Sequence, residues 1–467
     1  MTTSPPTEID ELRAAVRGEV IGPGDAAYDD ARAIWNGMID RRPATIVRCA
    51  GAADAAAAIG FARARGLAIA IRGGGHGVAG DAIADGGLVI DLSAMTGVDV
   101  DADARTARVG GGARLGDVDR ETQRFGLAVP LGVVSRTGVA GLTLSGGMGW
   151  LRRSHGLSCD NLVSAEVVTA AGDVLRASEG ENADLFWAIR GGGGNLGVVT
   201  ELEFRLHPVG PEVAFTFTLY PIAAAEQVLR GVERFLGDGL EELSPVVVLG
   251  RVPEADELPA SAHGEECVIV LCLHPDAAEG ERAMAPLREL AEPIAHLGGP
   301  MPYVEAQQAL DEDYPDGGHY YWKSVNLPAL GDEVIERLVR INAEAPSAES
   351  TIDVWYHGGA MARVGERETA FANREAPYLI GLEANFEDDA DTERNLAWVR
   401  SAFDELRGFS DGGVYLNFPG FREEGEEILR EGYGPNYERL AEVKAAYDPD
   451  NVFRLNANVA PAGAASG

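Results

Sequence analysis

Residues 67–80, Leu-Ala-Ile-Ala-Ile-Arg-Gly-Gly-Gly-His-Gly-Val-Ala-Gly, carry the clearest chemical signal in the chain. A single histidine, His76, stands among Gly73, Gly74, Gly75, Gly77 and Gly80. Glycines this dense let backbone approach a bulky ligand and leave N–H groups to point at it. A histidine in such a loop is hard to explain as core. A second tract, 137–150, reads Thr-Gly-Val-Ala-Gly-Leu-Thr-Leu-Ser-Gly-Gly-Met-Gly-Trp. Its small residues recur too closely for a packed helix or an ordinary strand. It reads as a loop wrapped around a ligand, since a linker would be polar and rich in Ser and Pro.

Residues 75–80 match G-x-G-x-x-G after a strand, the first half of a dinucleotide fingerprint. The second half is missing. A Rossmann turn must open a helix whose N-terminus faces the pyrophosphate, whereas Asp81-Ala-Ile-Ala-Asp-Gly-Gly runs straight into another apolar strand over 88–92. Residues 192–197 match the same pattern with a helix before and a strand after, the wrong order. Neither supports a Rossmann domain.

The elements that must carry these loops can be read from periodicity. Residues 1–25 read as a loose lead-in and 29–39 as a helix. A strand over 45–49, an Ala-rich helix over 54–65 and a strand over 67–71 make a βαβ unit that delivers the glycine–histidine loop. Short strands come next near 88–92, 97–100 and 106–109, then a helix to about 125. His207-Pro-Val-Gly-Pro211 is a punctuated boundary. Beyond it glycine thins out and strands alternate with helices, the texture of an antiparallel sheet with helices on one face. A last helix ends at Asp448-Pro449.

The chain has 467 residues, enough for two full-sized cores. Its net charge of −35 argues against nucleic acid or an anionic membrane as partner. Only Lys323 and Lys444 are lysines. Abundant carboxylates with almost no lysine suggest a halophilic protein, kept soluble where salt screens self-repulsion. No signal peptide or membrane span is visible, so a cytoplasmic location is expected. Four cysteines without C-x-x-C, and eight histidines without a metal-ligand spacing, give no metal site.

Arg72-Gly-Gly-Gly-His-Gly77, the tract Gly138 to Trp150 and the stretch Asn436 to Val459 together resemble the berberine-bridge-enzyme-like flavoproteins. These share the FAD-binding fold of vanillyl-alcohol oxidase and p-cresol methylhydroxylase. The resemblance implies an α+β protein: a two-part FAD-binding domain, 1–209 and 411–467, around an inserted substrate domain, 210–410, with an antiparallel sheet backed by helices. It implies that His76 bonds covalently to FAD, and neutral imidazole is a competent nucleophile near pH 7. Arg72, Gly73, Gly74, Gly75, Gly77 and Val78 would cradle the cofactor from one side. Gly138, Val139, Leu142, Ser145, Gly146, Gly147 and Gly149 would do so from another. Val198 and Val199 match positions near the adenosine, and Asn417, in the motif of the family base, and Asn456 and Asn458, in the closing tail, are expected to bind the cofactor as well.

Departures from the pattern matter too. Many members carry a second flavin link from a cysteine where this chain has Val134, so a single link is expected; Cys159 reads as a buried structural thiol. Thr137 replaces the family's Val or Leu at a position linked to oxygen access, which leaves oxidase and dehydrogenase both open. The family base is often a tyrosine in Tyr-x-Asn-Tyr, and Tyr415-Leu-Asn-Phe418 keeps the first Tyr and the Asn. An alternating strand would put Tyr415 and Asn417 on one side. Lys323 is the expected cation beside the phenol; Tyr320, Tyr321 and His357 are further candidates. The implied activity is hydride transfer from an alcohol carbon of a small molecule, such as a sugar or polyol, to FAD, with oxygen or another acceptor taking the electrons. Amine oxidation, and a flavin-binding protein without turnover, are the alternatives.

Overall fold

The computed structural model describes residues 8–237 and 240–463. Its first layer is a four-stranded sheet in the order Glu19–Ile21, Thr45–Arg48, Leu88–Asp91, Ile69–Arg72. The last three strands run parallel and are apolar almost throughout, because helix Ala52–Arg65 and the remaining layers cover both faces. Gly66, at φ 66°, ends that helix in the left-handed conformation that glycine adopts without strain.

Two expectations near the N-terminus fail. The lead-in is structured from residue 8 on, residues 1–7 lying outside the described ones: helix Glu8–Ala15 and strand Glu19–Ile21 are held by the Asp54 carboxylate, which accepts from the Arg17, Gly18 and Ala50 N–H groups. The helix expected over 29–39 shrinks to Tyr28–Arg32. Tertiary bonds capture the residues just beyond it. Asn36 donates to the Val78 and Tyr320 carbonyls, and the Trp35 indole donates to Tyr314 O. At Gly37 a side chain would collide with the Gly317 carbonyl at 2.2 Å, so only glycine fits this crossing.

The second layer is a five-stranded antiparallel sheet, ordered Val98–Asp101, Thr106–Gly110, Val198–Arg205, Leu162–Val168, Val174–Ser178. The tract 137–150 is not wholly a loop, since Val139–Leu144 forms a helix of under two turns. Its Val139, Ala140 and Leu144 pack into the main core, which stabilises a helix that propensity alone would not.

The largest sheet, spanning 212–386, is antiparallel throughout. Its strands Glu266–His274, Val246–Arg251, Thr351–Tyr356, Tyr378–Phe386 and His319–Leu327 lie side by side in that order. Alternation assigns its two faces. Ile352, Val354, Tyr356, Ile380 and Leu382 join the core that helices Ala225–Gly237, Asp332–Ala343 and Thr392–Arg407 cover. Asp353, Trp355, Gly381 and Glu383 face the other way, toward the N-terminal layers.

The C-terminal helices Glu426–Tyr433 and Tyr437–Tyr447 return the chain to the first half. Lys444 is fully buried, pairs with Asp448 at 2.7 Å and donates to the Asn195 and Phe453 carbonyls. That fastens the tail beside residues 193–195. Among the described residues no helix is long and apolar enough to cross a membrane.

Candidate active site

The glycine loops, the tail and the polar face of the large sheet enclose one cavity of about 1120 Å³. Gly73, Gly74, Gly75, His76, Gly77 and Val78 line one wall. Gly138, Leu142 and Ser145 line the next, and Val199, Asn417 and Asn456 a third. The two glycine loops touch: a side chain on Gly74 would meet Gly138 Cα at 2.5 Å, and one on Gly138 would meet Gly74 N at 2.4 Å. At Gly141, also on the wall, an added Cβ meets nothing within 4 Å and would project into the open cavity.

His76 sits where these walls join. Its ring stacks on Trp35 at 4.1 Å, and Trp35 stacks in turn on Tyr320 at 3.7 Å. Its Nε2 is buried without a hydrogen-bond partner. Burial pushes its pKa down to about 3, so the ring is neutral at pH 7 and keeps a lone pair. Buried Oδ1 atoms of Asn456 and Asn458 likewise lack partners. An elongated cavity lined by glycine backbone, with these orphaned acceptors, fits a large flat cofactor such as FAD.

Other expected cofactor residues stand behind the wall. Val139 and Val198 are core, and Arg72 donates to Ala31 O at 2.6 Å. Gly146, Gly147 and Gly149 allow close packing instead: side chains there would strike Phe371, Ser158 Oγ and the Leu131 carbonyl. Asn458 lines a neighbouring cavity that shares Asn456 and Arg422 with the first. Val134 lies on the main wall and Cys159 does not; Cys159 is buried, and burial raises its thiol pKa.

Tyr415 reaches the same cavity from the C-terminal side. It is not on a strand. Residues 415–418 form a turn closed by Phe418 N–H to Tyr415 O at 2.8 Å, and this turn brings Asn417 against the phenol. Asn417 Nδ2 donates to the phenol oxygen at 2.7 Å and Met148 N–H at 3.3 Å. These bonds and one from the Gly147 backbone favour phenolate, yet burial outweighs them and pushes the pKa up to about 12. Among the described residues the phenol O–H has no protein acceptor.

Three catalytic expectations do not come together with Tyr415. Lys323 points to the opposite face of the sheet, where Nζ donates to Glu424 at 2.5 Å and lies over the Phe403 ring. Tyr321 shares that face and donates to Glu423 at 2.5 Å. The difference is one of register, because side chains alternate across a strand and only Tyr320 and Trp322 face the cavity. His357 does not project into the cavity; it is buried with Nδ1 on the Ala376 carbonyl at 3.0 Å.

The sequence reading misses Trp35, Tyr314, Asp353 and Glu383. Tyr314 donates to Glu383 Oε2 at 2.9 Å, and Trp322 Nε1 donates to Asn385 at 2.8 Å. Burial raises the pKa of both Asp353 and Glu383, and repulsion adds to it, from Asp313 at the first and from Asp353 at the second. A signal was available: Thr-Ile-Asp-Val-Trp-Tyr and Leu-Ile-Gly-Leu-Glu-Ala-Asn put a carboxylate inside an apolar strand, where charge is rarely buried without purpose.

Comparison with known proteins decides the family. Residues 43–178 match the family described as FAD binding domain, and 414–460 the one described as berberine and berberine like. The chain is 32% identical to (R)-6-hydroxynicotine oxidase of Paenarthrobacter nicotinovorans, covering 96% of this chain and 98% of that protein. It belongs to the berberine-bridge-enzyme-like, FAD-linked oxidoreductases. Within that family it is also 31% identical to a glucooligosaccharide oxidase of Sarocladium strictum, over 91% of this chain and 89% of the other. The solved structure of 6-hydroxy-D-nicotine oxidase from Arthrobacter nicotinovorans superposes with a TM-score of 0.85 at 30% identity, covering 95% and 98% of the two chains. Xylooligosaccharide oxidase from Myceliophthora thermophila, solved with xylobiose, gives 0.86 at 25% identity, over 98% and 100%. The fold is therefore the p-cresol methylhydroxylase type, and the cofactor is FAD.

Proposed function

We propose that the protein oxidises a carbon bearing a hydroxyl or an amine in a small molecule, with FAD linked covalently through His76 alone. FAD, when bound, supplies the acceptor for a hydride from that carbon. The chain's own contribution is to hold the substrate and move its proton. Tyr415 carries this reading: its phenol, set among N–H donors at the cavity wall, first gives up its own proton to solvent, and the phenolate oxygen then takes the proton from the substrate heteroatom as the hydride leaves. The donors stabilise the phenolate that must form before the transfer, the part that the sequence assigned to a lysine. The substrate ends as a carbonyl or an imine, and the electron pair passes on to oxygen or another acceptor.

An alcohol carbon of a sugar or polyol is the substrate class that the oligosaccharide-oxidising relatives suggest. The acidic wall of this cavity favours an amine-bearing molecule as a second reading. The purified protein should be yellow, and its flavin absorbance should bleach anaerobically with a polyol or an amine donor. Failure across both classes would overturn oxidation and leave a flavin-binding protein without turnover.

A further inference from the structure

Carboxylates dominate the substrate end of the cavity. Glu254, Glu312, Asp313, Asp316, Glu349 and Glu387 line its outer part, with Asp353 and Glu383 deeper. The two arginines on its walls are already committed, Arg251 to Glu266 at 3.8 Å and Arg422 to Asp81. The outer carboxylates resemble the rest of this acidic surface. The inner two do not, because Asp353 is 6% exposed and Glu383 2%, and groups so buried do nothing for solubility.

Asp353 Oδ1 is buried in the cavity wall with no hydrogen-bond partner. Gly381 leaves room around it. A side chain at Gly381 would meet Asp353 Cβ at 3.4 Å, Glu383 Oε1 at 3.5 Å and the Phe418 ring at 3.7 Å, so these groups converge on one spot. The Phe418 ring lies 5.3 Å from those of both Tyr415 and Trp322. Trp355, whose indole N–H is also unpartnered, belongs to the same wall. Two buried carboxyls on one patch of wall cost stability once they ionise without a cation.

We infer that Asp353 and Glu383 form a cation-recognition subsite, and that the substrate carries a protonated amine on a compact apolar or aromatic body. The ammonium donates to the orphaned Asp353 oxygen and to Glu383, and the aromatic walls around it add cation–π attraction. Burial raises both carboxyls, with repulsion from Asp313 on Asp353 and from Asp353 on Glu383; a bound cation supplies the missing countercharge and lets both ionise. The outer carboxylates concentrate cations at the mouth and repel anions such as sugar acids and phosphates. The amine is a handle here, and the oxidised carbon can be its own or a neighbouring carbinol.

This inference rests on the reading of the cavity as the site of oxidation, and the test separates the two. Benzylamine and benzyl alcohol, nearly equal in shape, are titrated anaerobically into the FAD-loaded protein while flavin absorbance and tryptophan fluorescence are followed. The amine should bind roughly tenfold to hundredfold more tightly, the range for hydrogen bonds to charged groups. Asp353→Asn should remove most of that preference and Glu383→Gln part of it, with flavin content unchanged. Equal affinity of the two probes for the unaltered protein would overturn the subsite, whatever the variants do, even if polyols bleach the flavin. A preference for the amine with no bleaching by any donor would leave the subsite standing and remove the oxidation reading.

Discussion

His76 and Asp353 each hold a buried atom without a hydrogen-bond partner, Nε2 and Oδ1, and each makes a prediction. At His76 a neutral imidazole with a free nitrogen suits a single covalent bond to the cofactor, since Val134 offers no second nucleophile. Denatured protein on an acid-treated gel should fluoresce under ultraviolet light, and His76→Ala should lose the band; flavin found on Cys159 would contradict the single link. At Asp353 the folded-state pKa is raised above the unfolded value of about 3.9. The folded state then binds more protons, so this group's contribution to stability is full below about pH 4 and is lost as pH rises toward neutrality. Asp353→Asn should therefore melt higher than the unaltered protein at pH 8, with the gap narrowing toward pH 4. A constant gap would show that the carboxyl is not perturbed.

The strands and loops decide which residues can meet. The glycine loops are legible because their composition is extreme, and element order keeps both G-x-G-x-x-G matches from a Rossmann reading. The substrate side is less legible. Nothing local distinguishes which alternate residues of His319–Leu327 face the cavity, so the sequence alone offers Tyr321 and Lys323 as readily as Tyr320 and Trp322. The turn at 415–418 is hidden too, because a four-residue alternation is also what a strand looks like. Tertiary bonds from residues far along the chain shorten the 29–39 helix, and no window of sequence holds that information. One long-range element contact carries its own prediction. Arg374 and Asp160, both buried, join the segment after His357 to the turn beside the glycine tract through bonds of 2.6 and 3.0 Å. Arg374→Ala strands a buried carboxylate and should cost about 3–5 kcal/mol in denaturant unfolding. A loss below about 1 kcal/mol, the scale of a surface pair, would mean that the two units do not depend on it.

The whole molecule carries 74 acidic against 39 basic side chains, and many of the arginines sit in exposed pairs with single carboxylates. Salt weakens those pairs only slightly, while it screens the repulsion among the carboxylates left over. Melting temperature should climb steeply from dilute buffer to molar salt; a flat profile would assign the composition to something other than salt adaptation. The same molecule gathers the flavin loops, the phenol and the carboxylate pair into one cavity between its layers, and the proposed function requires that a proton and a hydride leave together there. Stopped-flow reduction of the flavin under anaerobic conditions, comparing Tyr415→Phe with the unaltered protein on a donor that bleaches it, tests this most directly. The expected result is a fall of roughly 10²–10⁴ in the reduction rate, with flavin content and donor affinity little changed. Reduction of the variant at the unaltered rate would contradict a proton-accepting role for Tyr415.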